Sequence, residues 1–372
     1  MGPSSIFDSH NWAMPFHFWS VVFFCFGLIV GSFLNVCIHR MPLGESVVSP
    51  PSHCPHCRYS IPWFLNIPLV TWLYLRGKCA NCGAPISIRY FLVELLTGVT
   101  FLGCWLAFGR QSPLLALIYC LFLASLIVAT FIDFELFIIP DEITIGGMVV
   151  GLICSLLVPA LHGKTKPAEG IWEGLVGMAV GASLVYAILR AGKLAFGKEK
   201  VQLPPSSEVI FTETGIVLPE QEIPFDGLFY RGGDTVTLDA VRVELCDRCY
   251  RDVRIRLTSS RLRIGEDEMD PEAVPYMAVT TDKLFLPREA MGLGDVKFMG
   301  AIGAFLGWQA VLFSLFLSSV IGAVVGVALI GLKLKSLQNS RLPYGPYIAI
   351  AAAMWVFGGW RWWAVFIHWL LY

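Results

Sequence analysis

Two CxxC pairs, Cys54-Pro-His-Cys57 and Cys79-Ala-Asn-Cys82, stand 21 residues apart in the chain. Each pair places two thiolates on one tight turn, and the gap lets the turns face each other, the pattern of a tetrahedral Zn²⁺ site. Four sulfurs close the coordination shell and leave no position for a reacting water, so such a metal pins a loop with little core of its own. His53 and His56 are alternative ligands. A further pair, Cys246 and Cys249, has no partner pair and reads as a reduced turn, while Cys25, Cys37, Cys104, Cys120 and Cys154 read as packing residues.

A second chemistry belongs to two acids. Asp133 closes an apolar run that is uncharged from Pro113 to Ile132, and Asp295 opens another in Gly292-Leu-Gly-Asp295-Val-Lys297. Ionisable groups at membrane depth are expensive and therefore candidates for function. Two carboxylates sharing a site of low dielectric cannot both ionise easily, which leaves a protonated acid beside a carboxylate base. Such a pair activates water and protonates a leaving amine, as in the aspartic proteases. Gly292 and Gly294 remove side chains around Asp295 and let a substrate backbone approach. The competing reading has each Asp marking a helix end, with Asp295 favoured there by the helix dipole. Glu135 and Asp141 share a short loop with Asp133 and are possible substitutes, although Pro140 gives Asp141 the look of a helix start.

Helices crossing a bilayer must position both chemistries. The 372 residues are 56% hydrophobic and only 15% charged, with a mean hydropathy of +0.66, against about 25% charged residues in a soluble domain. Apolar runs near 18–38, 90–109, 113–132, 143–161, 170–190, 297–309, 310–332 and 346–365 predict a polytopic α-helical membrane protein with about eight transmembrane helices. The residues before the first run contain no Lys or Arg, so that run reads as a retained helix rather than a cleaved signal.

Arg40, Arg58, Arg76, Lys78, Arg89, Arg190, Lys193, Lys198, Lys200, Lys333, Lys335 and Arg341 gather on one side of these runs, with Arg110, Lys164, Lys166 and Arg361 opposite. The positive-inside rule makes the first set cytoplasmic and puts the N-terminus outside. It also puts both aspartates at the cytoplasmic boundary, a result that the basic residues alone decide. Eleven spread cysteines exclude a disulfide scaffold, and a net charge of −1 gives no support to nucleic-acid binding.

Residues 201–290 differ from the rest. They hold 17 of the 28 acidic residues and 10 of the 27 basic ones, a local net of −7 against +6 elsewhere. Thr235-Val-Thr-Leu, Val241-Arg-Val-Glu-Leu and Val253-Arg-Ile-Arg-Leu alternate with period two and predict half-buried strands, with Pro204-Pro205 and Gly232-Gly233 as punctuation. The expected organisation is an N-terminus and first helix over 1–38 and a cytoplasmic zinc-ribbon-like loop over 39–89. Helices two to five with the first acid follow over 90–200, then a small β-rich cytoplasmic insertion over 201–290, then the GxGD segment and last helices over 291–372.

These features together closely resemble the type IV prepilin peptidases. The resemblance is carried by Gly31-Ser-Phe-Leu-Asn-Val-Cys-Ile-His-Arg-Met-Pro42, the CxxC pairs flanking Asn66-Ile-Pro68, and Leu75-Arg-Gly-Lys-Cys79. It continues through Ile88-Arg-Tyr90 to Glu94, Asp133 with Pro140-Asp141, the GxGD stretch through Lys297, and Pro343-Tyr-Gly-Pro346. These stretches lie in family order and cover nearly all of the chain outside 201–290.

The resemblance implies a bacterial inner-membrane enzyme. It would cleave the leader from type IV prepilins or type II secretion pseudopilins after a Gly and methylate the new N-terminus from S-adenosylmethionine. Asp133 and Asp295 would be catalytic, with Gly292, Gly294 and Lys297 supporting the site. Gly77 and Glu94 are candidates for the methyl-transfer step, and Glu94 reads equally as a satisfied acid in a helix's first turn. Membrane lipid and the pilus or secretion assembly machinery are the further partners. Leu65 stands where many relatives carry an acid. A peptidase without methyl transfer, or a non-enzymatic membrane scaffold, are the alternatives.

Overall fold

The structure, a computed structural model, describes residues 15–196, 198–219, 222–225, 228–229, 234–287, 292–332 and 342–371. Gly232, Gly233, Lys333, Lys335 and Arg341 lie outside the described residues. The chain divides into two compact units, 1–186 with 293–372, and 187–292.

The first unit is helical. α1 (Phe16–Arg40) is followed by the cysteine loop with its short α2 (Val70–Tyr74), then α3 (Ile88–Phe108), α4 (Pro113–Leu136), α5 (Asp141–Leu157) and α6 (Pro167–Phe196). α7 (Leu293–Leu306), α8 (Trp308–Gly331), α9 (Gly345–Met354) and α10 (Trp360–Leu371) complete it, with a π-helical kink at Trp355–Gly359 between the last two. Local chemistry sets several starts. Ser87 accepts from the Arg89 N–H ahead of α3, and Ser112 accepts from the Leu115 N–H, with Pro113 as the first residue of α4. Phe137 in the left-handed region (φ 57°) ends α4.

Among the described residues six helical stretches are long and apolar enough to cross a membrane, so the fold is that of a multi-pass membrane protein. The expected count of eight is not reached by that measure, because α5 has 17 residues and α7 only 14. At 1.5 Å per residue α7 extends about 21 Å, short of the roughly 30 Å hydrocarbon layer. It is nonetheless the most enclosed element, with eleven of its residues buried.

Close backbone approach makes that enclosure possible. A Cβ on Gly303 would lie 2.1 Å from the carbonyl oxygen of Gly177 in α6, and one on Gly151 of α5 would lie 2.9 Å from Ala304 Cβ. α1 and α3 meet in the same manner, since a Cβ on Gly31 would lie 2.7 Å from Glu94 Cα. Lipid supplies no hydrophobic drive between helices, so small residues that bring backbones together are what hold such interfaces. α4 is central, with 72% of its apolar window buried, whereas α8 has 17% and turns Phe316, Val320, Val324 and Val327 outward.

The second unit holds one eight-stranded antiparallel sheet of order β3-β2-β1-β8-β4-β5-β6-β7. Its strands are β1 (Lys198–Phe211), β2 (Gly215–Val217), β3 (Glu222–Pro224), β4 (Val236–Leu245), β5 (Cys249–Leu257), β6 (Leu262–Ile264), β7 (Asp267–Met269) and β8 (Met277–Pro287). Leu238, Ile255, Ile264, Val279 and Leu284 belong to its core. Two strands expected separately at 235–238 and 241–245 are one strand, β4. The alternation slips there, since Val236, Leu238 and Ala240 point inward and the next inward residue is Val243. Val241 is left exposed opposite Asp252, which takes φ 51°, and the Thr281 hydroxyl donates to the Asp239 carbonyl at 2.8 Å beside the slip.

Leu284 is fully buried in this core. Leu284→Ala is expected to cost about 2–5 kcal/mol, measured as faster limited proteolysis within 198–287 of the detergent-solubilised protein at unchanged cutting elsewhere.

Candidate functional site

Asp133 sits in the last turn of α4 and Asp295 in the first turn of α7, and both are buried, at 6% and 9% exposure. Two contacts fix how these helices run. The rings of Phe122 in α4 and Phe305 in α7 meet in a tilted contact with centroids 4.8 Å apart. Ile139, just beyond α4, packs beside Gly294, where a Cβ would lie 3.5 Å from Ile139 Cβ. The helices are therefore antiparallel. Asp133 lies eleven residues past Phe122 and Asp295 ten residues before Phe305, which is about 16 and 15 Å along the two axes. Each acid thus lies on the Ile139–Gly294 side of the Phe122–Phe305 contact.

The nearby acids behave otherwise. Glu135 is 48% exposed and accepts from Arg89 Nη1, while Asp141 is 59% exposed and accepts from Lys297 Nζ at 2.6 Å. Both are exposed and ion-paired, unlike the buried Asp133. Lys297 thus ties the start of α7 to the start of α5, and its charge is spent on Asp141. Gly294 has neither a positive φ nor a crowded neighbour, since Ile139 is only in ordinary contact. Packing within the chain does not demand glycine there.

A partner of Asp133 that residue types did not disclose comes from the far end of the chain. The backbone N–H of Gly345, first residue of α9, donates to Asp133 Oδ2 at 2.9 Å. The sequence signal was the stretch Pro343-Tyr-Gly-Pro346, which carried no assigned role. Ile139 also touches this point, with its Cδ1 3.2 Å from where a Gly345 Cβ would stand.

The four loop cysteines converge. All four sulfurs lie within 4.8 Å of one another, with Cys54–Cys82 and Cys57–Cys79 each at 3.9 Å. A tetrahedron with Zn–S bonds of about 2.3 Å has edges of about 3.8 Å, so the cluster fits zinc. The two knuckles are built alike. Bridges His53–Ser60 and Lys78–Pro85 close each turn, and the residue after each second Cys takes a positive φ, Arg58 at 55° and Gly83 at 71°. Backbone N–H groups of Cys82 and Asn81 lower the Cys79 thiol to about 6. The Ala84 N–H pulls Cys82 down, but burial and the neighbouring sulfurs push it up to about 11. Asn81 Nδ2 approaches Cys57 Sγ at 3.6 Å.

The loop is fastened to the helices by Glu94. Its Oε2 accepts from the Leu69 N–H at 2.8 Å, so it is an anchor from α3 rather than an acid satisfied by its own helix. Gly77 takes φ 65°, and a Cβ there would lie 2.9 Å from Trp72 Cζ2. Its glycine is therefore required by the backbone and by the indole lying on it. Arg40, buried at the end of α1, donates to the Ser46 and Pro50 carbonyls and shapes the start of the same loop.

Residues 25–108 match the bacterial peptidase A24 N-terminal domain, and residues 120–201 and 272–327 match the type IV leader peptidase family. A prepilin leader peptidase/N-methyltransferase of Aeromonas hydrophila is 30% identical over 363 residues, covering 91% of this chain and 90% of that protein. One of Myxococcus xanthus is 44% identical over 163 residues, 44% of this chain and 45% of its own. One of Neisseria gonorrhoeae is 38% identical over 197 residues, 46% and 65% respectively. No solved structure matches. The second family match is interrupted where the sheet lies.

If the cysteine cluster holds zinc, the purified protein contains about one zinc per chain by elemental analysis. Cys54→Ser or Cys79→Ser is expected to lower that content sharply, and to expose the loop between 45 and 87 to protease.

Proposed function

The chain belongs to the type IV leader peptidase family, and we propose that it is an aspartic endopeptidase that removes the leader of type IV prepilins or type II secretion pseudopilins and N-methylates the new N-terminus. The observation that carries this reading is the pair of buried carboxylates, Asp133 and Asp295, at one end of antiparallel α4 and α7. One carboxylate takes a proton from water as the water oxygen attacks the scissile carbonyl carbon. The other, protonated, supplies the proton that the leaving amine nitrogen needs as the C–N bond breaks. The missing side chain at Gly294 would let a substrate backbone approach Asp295, and the Lys297–Asp141 pair holds α7 against α5.

Zinc would be held by Cys54, Cys57, Cys79 and Cys82, four thiolates that leave no position for a reacting water, and would serve the loop's fold. The names of the relatives support methyl transfer, for which S-adenosylmethionine supplies an electrophilic methyl group. Gly77, beneath the Trp72 indole, and Glu94, engaged by the Leu69 N–H, are the candidates for that step in the cysteine loop and its anchor. Membrane placement follows the basic residues: the inner membrane, with the acids and the loop at the cytoplasmic face. In this reading α5 and α7 are the two further crossings that bring the total to eight.

Asp133→Asn and Asp295→Asn are each expected to abolish cleavage of a synthetic prepilin in detergent, with the proteins still extracted as folded species. Cleavage retained by either variant removes the acid pair from the mechanism. Mass spectrometry of the processed product separates the bifunctional enzyme from a peptidase alone, since one methyl adds about 14 Da.

A further inference from the structure

We infer that Gly345 is a positioning residue of the acid pair: its backbone N–H holds one oxygen of Asp133, and its missing side chain is what lets that oxygen stay there. The inference rests on the reading of Asp133 as one of two catalytic carboxylates.

Three features make the arrangement specific. The Gly345 N–H belongs to the first residue of a ten-residue helix and has no partner within that helix, so Asp133 Oδ2 takes a donor that would otherwise be orphaned. The next residue, Pro346, has no N–H at all, which leaves Gly345 to face the carboxylate. The turn before it is tied down, because the Tyr344 hydroxyl hydrogen-bonds Ser318 Oγ at 2.8 Å and Ser319 Oγ at 3.1 Å in α8.

The space is equally tight. A Cβ on Gly345 would lie 2.7 Å from Asp133 Oδ2 and 3.2 Å from Asp133 Cγ. Contacts below 3.0 Å do not persist, and the carboxylate is the movable partner, so alanine would turn Asp133 out of its position rather than dislodge α9. Fixing Oδ2 by a backbone donor leaves Oδ1 as the oxygen free of that contact. Misplacing a catalytic group by about 1 Å costs about 100-fold in rate.

The test compares Gly345→Ala with Gly322→Ala in steady-state cleavage of a synthetic prepilin by the full-length detergent-solubilised protein. Gly322 lies on the same α8–α9 contact, where a Cβ meets only the Tyr347 ring at 3.4 Å and nothing of Asp133. Gly345→Ala is expected to lose about 100-fold in kcat at unchanged KM, and Gly322→Ala to keep its kcat. Wild-type kcat in Gly345→Ala, or an equal loss in both, overturns the inference. Tyr344→Phe adds no volume and serves where Gly345→Ala does not accumulate. It is expected to lower kcat about fivefold at unchanged KM, the equivalent of one neutral hydrogen bond, and an unchanged kcat there also overturns the inference. If Asp133→Asn itself still cleaves, the catalytic reading fails, a result distinct from any of these.

Discussion

A carboxylate at the buried end of an apolar helix has to be solvated by something other than water or lipid. At Asp133 that something is one backbone N–H from another helix, supplied by Gly345 at the start of α9. Hydrogen bonds to charged groups contribute about 1.5–3 kcal/mol, and a donor carried by the backbone cannot rotate away as a side chain can. Much of the helical unit serves this placement. α4 is the most buried of the long helices, α9 packs against it, and α8 holds the turn from which the donor points. α7, which carries the second acid, packs glycine to glycine against α6 and small residues against α5.

The short length of α7 belongs to the same logic. A fourteen-residue helix wrapped on its sides by other helices does not need to meet lipid along its length, so its polar first turn can sit below the surface with Asp295 enclosed. Irregular or polar backbone at such depth is tolerated only where protein or a cavity surrounds it. The ion pair between Lys297 and Asp141 then spends the other charges of this corner on each other.

The cysteine loop is organised by different means. It has little apolar core, with Trp63, Phe64, Val70, Leu73 and Tyr74 exposed, and relies on two matching knuckles and on fasteners from α1 and α3. Glu94 illustrates the change that tertiary structure makes to a motif residue. Its place on α3 is compatible with chemistry or a local helix role, and its carboxylate receives a backbone N–H from 25 residues earlier, outside its own helix.

The sequence by itself determined the class of the protein and the four-thiol cluster. Hydropathy and ligand spacing are local quantities that survive without coordinates. It also carried the period-two alternation of the sheet, but not that β4 is continuous through the slip at Val241, because pairing with β5 and β8 holds the strand together there. Only the tertiary structure decided that α5 and α7 are short, that Glu135 and Asp141 are occupied by Arg89 and Lys297, and that Gly345 faces Asp133. That last contact joins residues 212 positions apart. A backbone N–H is the same at every non-proline residue, so no residue type announces the one that packing aims at the acid.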